Sequence, residues 1–189
     1  MIGPFAWRRQ DVAEGLALGW MVPRPDGIEA RGQEIVAHSG GSWWVDFRVD
    51  LDSAWRTRTV VVRVTQPIGQ REVRLEADGE GRWRIDGVPA RELDGCLDVD
   101  VAAAPLTNTF PIRRLALGVG ESADVAAAWV GVPDLGVERL DQRYTRLDPD
   151  GDLERYEYHS VPSGRSWILL VDGEGVVVDY QGFARQVFP

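Results

Sequence analysis

The sequence predicts a mainly β fold, with a many-stranded antiparallel sheet that is curled or closed. In WWVDFRVD (43–50), apolar and polar residues alternate, which places one set on each face of a strand. Similar runs follow at short intervals in RTRTVVVRV (56–64) and REVRLEA (71–77). The alanine-rich ESADVAAAWV (121–130) suits a helix or a strand, and its alternation favours a strand. Short strands at regular spacing are typical of curled antiparallel sheets.

The segments between these runs contain the residues of tight turns. DGEG occurs at 78–81 and again at 172–175, and PSGR occupies 162–165. Asp and Gly tolerate the positive φ angles that hairpin turns require. DPDGDLE at 148–154 resembles a calcium loop through its alternating Asp148, Asp150 and Asp152, but Leu153 stands where that loop needs glycine. We therefore expect a hairpin there and no metal site.

One segment, PLTNTFPIRRL (105–115), has the features of a helix. Thr and Asn can cap a helix through their side-chain oxygens, and Pro111 fits a first helical turn. Ile112 begins an apolar face at helical spacing, and Gly118 is a suitable stop. The sequence predicts a short helix from about Thr107 to Leu117.

Length and composition indicate a single globular domain over residues 1–189. The net charge of -9 argues against nucleic acid and against anionic lipid surfaces as partners. The single cysteine, Cys96, excludes an internal disulfide and fits a reducing compartment. One Cys and two His do not make a zinc site. Because we see no signal peptide and no apolar run long enough to span a bilayer, we expect a cytoplasmic protein with no cofactor.

The middle of the chain resembles a bacterial family described as glycolipid-binding, which was formerly of unknown function. The likeness rests on Gly95-Cys96 with an Asp-x-Asp just downstream, on PLTNTFPIRRL, on Ala-Trp-Val at 128–130 and on Tyr144. It extends over most of the chain, from WRTRTV at 55–60 to VVDYQGFAR at 177–185. The resemblance implies a spiral β-roll around one short central helix, and a homodimer. The family's label follows from the similar shape of lipid and lipoprotein carriers.

Two adjacent arginines, Arg113 and Arg114, are the first candidates for a binding site. At the start of an inner helix they could bind a phosphate, sulfate or carboxylate group. The alternative, which we favour, is that they pair with Asp98 and Asp100, whose spacing places both carboxylates on one strand face.

Aromatic residues supply the other candidates. Trp83 and Trp129 lie in strand patterns and could stack on a sugar or line a lipid site, although ordinary core packing is the more common role. Tyr144, Tyr156 and Tyr158 could reach a head group or lie at a dimer rim, and the last two share a strand face. Asn108, beside the helix start, could orient the same head group.

These observations predict a non-catalytic protein that binds an amphipathic small molecule, such as a glycolipid or another lipid, inside the roll. A first alternative is a homodimeric interaction protein whose roll is filled by Phe110, Ile112 and Leu115 and holds no ligand. A second is a small-molecule enzyme that uses Asp98 or Asp100 as an acid or base, which requires burial to raise the pKa of that carboxyl.

Overall fold

The structure, a computed structural model, describes residues 1–102 and 104–188, in which fifteen strands form one sheet. The strands, numbered in chain order, are β1 Ile2–Arg9, β2 Glu14–Arg24, β3 Gly27–His38, β4 Gly41–Asp52, β5 Thr57–Gln66, β6 Gly69–Ala77, β7 Trp83–Ile85, β8 Val88–Pro89, β9 Asp98–Val101, β10 Ser122–Val130, β11 Val137–Asp150, β12 Leu153–Ser160, β13 Arg165–Val171, β14 Val177–Tyr180 and β15 Ala184–Phe188. The mainly β prediction is confirmed.

The spatial order of the strands is β8-β7-β6-β5-β4-β3-β2-β1-β15-β14-β13-β12-β11-β10-β9. Neighbouring strands are antiparallel except β9 and β10, which are parallel. The first and last strands, β1 and β15, are paired in the middle of the sheet. The sheet ends at β8 and β9, which do not pair with each other, so it is not a closed barrel. It is curled like a roll, which brings β9 against β5, where the Val99 N–H donates to the Thr57 hydroxyl at 3.0 Å.

Alternation along the strands separates an inner from an outer face. On β4, Val45, Phe47 and Val49 are buried on the inner face, whereas Trp44 and Arg48 are exposed on the outer face. Burial of apolar area stabilises the fold by about 25 cal/mol per Å², so this pattern fixes which face of each strand turns inward. The alternation predicted for 43–50 is confirmed.

The one α-helix of the described residues, α1, spans Thr109–Leu115 and is preceded by a 3-10 turn at Pro105–Asn108. The predicted helix is therefore confirmed in position, but its ends differ from the expectation. No side chain caps its first turn. It ends at Ala116, which is left-handed with a φ of 46°, two residues before the predicted stop at Gly118. The N–H group of Ala116 donates to the carbonyl of Ile112 and so closes the last turn.

The helix lies between two apolar clusters. Phe110 packs with the larger cluster. Most residues of that cluster come from the inner face of the first eight strands. Ile112 packs with a smaller one that contains Tyr144, Tyr156 and Leu169. Because both helical side chains are buried, α1 joins the two parts of the curled sheet.

Within the described residues, no helix combines the length and the apolar character that crossing a membrane would require.

Candidate functional site

A pocket of about 330 Å³ opens on the inner side of the sheet, beside the start of the helix. Its aromatic wall comes from neighbouring strands in the second half of the chain. Tyr158 on β12 lies directly across from Trp167 on β13, and Tyr180 on β14 follows. Trp129 on β10 and Phe183, between β14 and β15, complete the wall.

The rings of this wall are packed at inclined angles. The ring centroids of Tyr158 and Trp167 are 5.7 Å apart. Tyr180 stands nearly perpendicular to both, with centroid distances of 6.2 Å and 6.3 Å and interplanar angles of 71° and 74°. Phe183 is 4.7 Å from Tyr180. Such tilted and edge-on contacts are favourable for aromatic rings and hold the wall in place.

The polar end of the pocket contains Asp100, which is paired across β9 and β10 with Trp129. One carboxylate oxygen of Asp100 accepts a hydrogen bond from the Gln142 side chain at 2.6 Å, and the other accepts from the Thr107 hydroxyl at 3.3 Å. Asp100 is partly buried and lines the pocket. Burial raises the pKa of Asp100 despite the two hydrogen bonds.

Asp98 lies on the same strand face but has a different partner. Arg114 donates two hydrogen bonds to its carboxylate, at 2.6 Å and 3.0 Å. Burial nevertheless raises the pKa of Asp98, because desolvation outweighs the attraction of the guanidinium. The structure therefore gives Arg114 the structural pairing that the sequence analysis favoured, with Asp98 alone.

Asn108 also faces the pocket and is fixed by two contacts. Its side-chain carbonyl accepts from the Tyr144 hydroxyl at 2.9 Å, and its amide nitrogen donates to the carbonyl of Pro105 at 3.4 Å. Tyr144 is fully buried behind it, and burial together with the charge of Asp100 raises the pKa of Tyr144 well above its usual range. Tyr144 therefore stays protonated and positions Asn108.

Arg113 is separated from this pocket. Its guanidinium carbon lies 5.2 Å from the centroid of the Trp55 ring, in a second cleft of about 350 Å³ that also contains Tyr156. The Tyr156 hydroxyl donates to Glu154, which also binds Arg146 at 2.8 Å. The prediction that both arginines face the two aspartates is wrong, since consecutive helical residues point about 100° apart.

Trp83 is likewise outside the pocket. It is buried in the larger apolar cluster, and its indole N–H donates to the carbonyl of Cys96 at 2.8 Å. Cys96 is buried as well, and burial raises the pKa of its thiol to about 11. Both residues occupy structural positions in the core.

The structure thus brings four of the residues considered from the sequence, Asp100, Asn108, Trp129 and Tyr158, into one pocket. The sequence analysis did not select Trp167, Tyr180 or Phe183 as site residues. The available signal was cross-strand register, because Tyr158 and Trp167 become neighbours once the PSGR turn between β12 and β13 is set. Periodicity assigns residues to a face, but it does not show which strands are adjacent.

An ionic cluster lies next to this wall. Arg9 forms salt bridges with Asp11 and with the buried Glu34, and its guanidinium carbon is 4.3 Å from the centroid of the Phe183 ring. Burial raises the pKa of Glu34 to about 7, because the cost of desolvating its carboxylate outweighs the attraction of Arg9.

Neither a metal site nor a larger groove of the described chain offers a better candidate binding site than this pocket. The described residues contain no group of three His, Cys, Asp or Glu side chains that could hold a metal ion. A larger groove, of about 640 Å³, is lined by charged residues such as Arg48, Asp50 and Arg58. These side chains already take part in salt bridges of the outer surface.

The curled sheet, its one helix and the internal aromatic pocket define a β-roll protein. The chain matches the family model described as "Putative glycolipid-binding" over residues 4–186, and it belongs to that family. It is also similar to a crystal structure of a DUF1089 family protein from Pseudomonas aeruginosa, with 36% identity and a TM-score of 0.77. That similarity covers 89% of this chain and 91% of the other. No curated protein matches the sequence.

Proposed function

We propose that this chain binds an amphipathic small molecule, a glycolipid or a related lipid, in the aromatic pocket and without chemical conversion. The observation that supports this most directly is the pocket itself, with five aromatic side chains on one side and a carboxyl at its polar end. Ligand pockets are mainly apolar, with a few polar groups that fix orientation. The family description points the same way.

The size of the pocket limits what part of a ligand it holds. Small-molecule pockets usually measure roughly 300–1,000 Å³, and this one is near the lower end at about 330 Å³. It accommodates a head group or a short apolar segment, and the remainder of a lipid extends through the opening. Trp129 and Trp167 provide flat apolar faces for stacking, while Asp100 and Asn108 orient polar groups.

The best test of binding is native mass spectrometry of gently purified protein, compared with the same sample after denaturation and solvent extraction. We expect an adduct that is recovered as lipid in the extract. Trp167→Ala should reduce its occupancy, whereas Phe188→Ala, at an exposed position outside the pocket, should not. A protein free of adduct that also ignores added lipids would refute the proposal.

The outer face supports a second proposal, that the chain acts as a homodimer. Leu16, Ile35 and Trp44 lie side by side across β2, β3 and β4, with 45%, 61% and 46% of their surface exposed. Contiguous exposed apolar residues often mark interfaces between proteins. We expect light scattering to give a dimer, Ile35→Asp to give a monomer, and Val119→Asp, at an exposed position elsewhere, to leave the dimer intact. A monomeric wild-type chain at high concentration would exclude this dimer.

The enzymatic alternative stays a separate prediction. Its requirement was a carboxyl with a raised pKa, and burial raises the pKa of both Asp98 and Asp100. Arg114 covers the first, whereas the second faces the pocket. We favour binding because the family is described as a binding family. We place the protein in the bacterial cytoplasm, which suits the free thiol of Cys96.

A further inference from the structure

The charged groups of the aromatic pocket are all acidic. Asp100 is at its inner end, and Glu138 lies on β11 directly across from Trp129. Among the described residues that line the pocket, none is Arg, Lys or His. An anionic head group would therefore meet two carboxylates and no positive charge.

Asp100 differs from its neighbour Asp98 in having no cationic partner. Arg114 compensates the charge of Asp98 through two hydrogen bonds. Asp100 receives hydrogen bonds only from Gln142 and Thr107, which are neutral, and it forms no salt bridge within the described part of the chain. Buried charges are normally paired, and a carboxylate has about four acceptor positions, so this group can still accept from a ligand.

The aromatic wall adds a second kind of attraction for positive charge. The faces of Trp, Tyr and Phe rings are electron-rich and attract cations within about 6 Å, which is how aromatic cages recognise substituted ammonium groups. Tyr180 stands at 71° to Tyr158 and at 74° to Trp167, whose own ring planes are 31° apart, around one side of the pocket. One ring of the wall, Phe183, already has the guanidinium of Arg9 over it.

That arginine does not make the pocket positive. Arg9 is paired with both Asp11 and Glu34, so the cluster behind Phe183 is neutral or negative. The chain as a whole has a net charge of -9, which also favours cations over anions at the entrance.

A neutral sugar would need hydrogen-bond donors as well as acceptors. One of the two N–H groups of the Asn108 amide donates to the carbonyl of Pro105, and the side-chain carbonyl oxygen accepts from Tyr144. The two carboxylates attract an ammonium group through its charge, whether or not it has an N–H to donate, and a neutral sugar receives no such attraction.

From these contacts we infer that the pocket selects amphipathic ligands whose head group is a positively charged, substituted ammonium, held between the aromatic wall and the Asp100 carboxylate. This inference rests on the proposed function and specifies its ligand class.

The test compares three probes that share a decyl chain and differ in head group: decyltrimethylammonium, decyl glucoside and decyl sulfate. Each is titrated into the full chain below its critical micelle concentration, and binding is followed by calorimetry and tryptophan fluorescence. We expect the ammonium probe to bind at least about tenfold more tightly than the glucoside, and the sulfate to bind most weakly.

Variants then test which carboxylate is responsible. Asp100→Asn preserves the shape of the side chain and should weaken binding of the ammonium probe about tenfold, with little effect on binding of the glucoside. Asp124→Asn, an exposed aspartate of β10, is the matched control and should change neither. If Asp100→Asn does not fold, Glu138→Gln, at an exposed position of the pocket rim, should still weaken the ammonium probe selectively.

The outcomes separate this inference from the proposed function. Glucoside binding equal to or tighter than ammonium binding overturns the inference and leaves amphiphile binding intact. Ammonium binding that neither carboxylate variant changes also overturns it. Failure of all three probes, together with an adduct-free native spectrum, refutes both.

Discussion

Arg113 and Arg114 are adjacent in sequence, yet they have different surroundings. The helix turns each residue about 100° from the last, so that Arg114 meets Asp98 while Arg113 lies over Trp55. The sequence was sufficient to predict an Arg–Asp pair, because a buried carboxylate needs a partner. It was not sufficient to assign the partners, since Gln142 and Thr107 reach Asp100 only through the register of β11 and the 3-10 turn.

Removing the Arg114 guanidinium should be strongly destabilising. Arg114→Met leaves the Asp98 carboxyl buried without its partner, and we expect it to lower the free energy of unfolding by about 3 kcal/mol in urea denaturation. Arg143→Met, which removes an exposed pair with Asp124, is the control and should have little effect. Equal losses in the two variants would show that the buried pair has no special importance.

Glu34 should make stability depend on pH. Its pKa is raised from 4.5 to about 7 in the folded protein. Between these values the folded state binds a proton that the unfolded state has lost, so the free energy of unfolding falls as pH rises. We expect Glu34→Gln to reduce the loss of stability between pH 5.5 and pH 7.5, measured from urea midpoints at constant slope. Either of two results would contradict the raised pKa of Glu34: a wild-type protein that gains stability over this interval, or a Glu34→Gln variant with the same pH dependence as the wild type.

At the scale of elements, the strands were predictable and the ends of the helix were not. Residues 43–50 alternate because one face of that strand is buried. In 121–130 the alternation is less regular, because residues on both faces of the strand are buried. The end of α1 depends instead on Ala116, which has no sequence signature of a left-handed residue. Glycine usually occupies such positions because it lacks the Cβ that makes them costly.

This end of the helix offers a stabilising substitution. Ala116→Gly removes the steric cost of a φ of 46°, and we expect a gain of about 1 kcal/mol. Ala37→Gly, at an exposed position in β3, is the matched control and should instead lose roughly 0.5–1 kcal/mol. Thermal and urea unfolding of both variants measure the difference; a loss in Ala116→Gly as large as that in the control would contradict the conformation of Ala116.

At the scale of the whole molecule, the pocket depends on adjacency between distant parts of the sequence. Asp100 comes from β9, Trp129 from β10, Tyr158 from β12 and Tyr180 from β14. The resemblance in the central segment indicated a roll around a helix, and the regular turns indicated many hairpins. Neither specified that the strands with aromatic side chains would curl toward the start of the helix, because curvature is a property of the assembled sheet.

The position of β1 and β15 in the middle of the sheet has a consequence for how the chain folds. The other antiparallel neighbours are consecutive in sequence, whereas this pair joins segments almost the full chain length apart, as in the pairing of Ala6 with Phe188. Closing so long a loop costs more conformational entropy than closing a hairpin. We expect pulse-labelled hydrogen exchange during refolding to show late protection along this seam and early protection in the β3–β4 hairpin. Two meanders would then form first, and their joining at the seam would be the slow step that completes the roll.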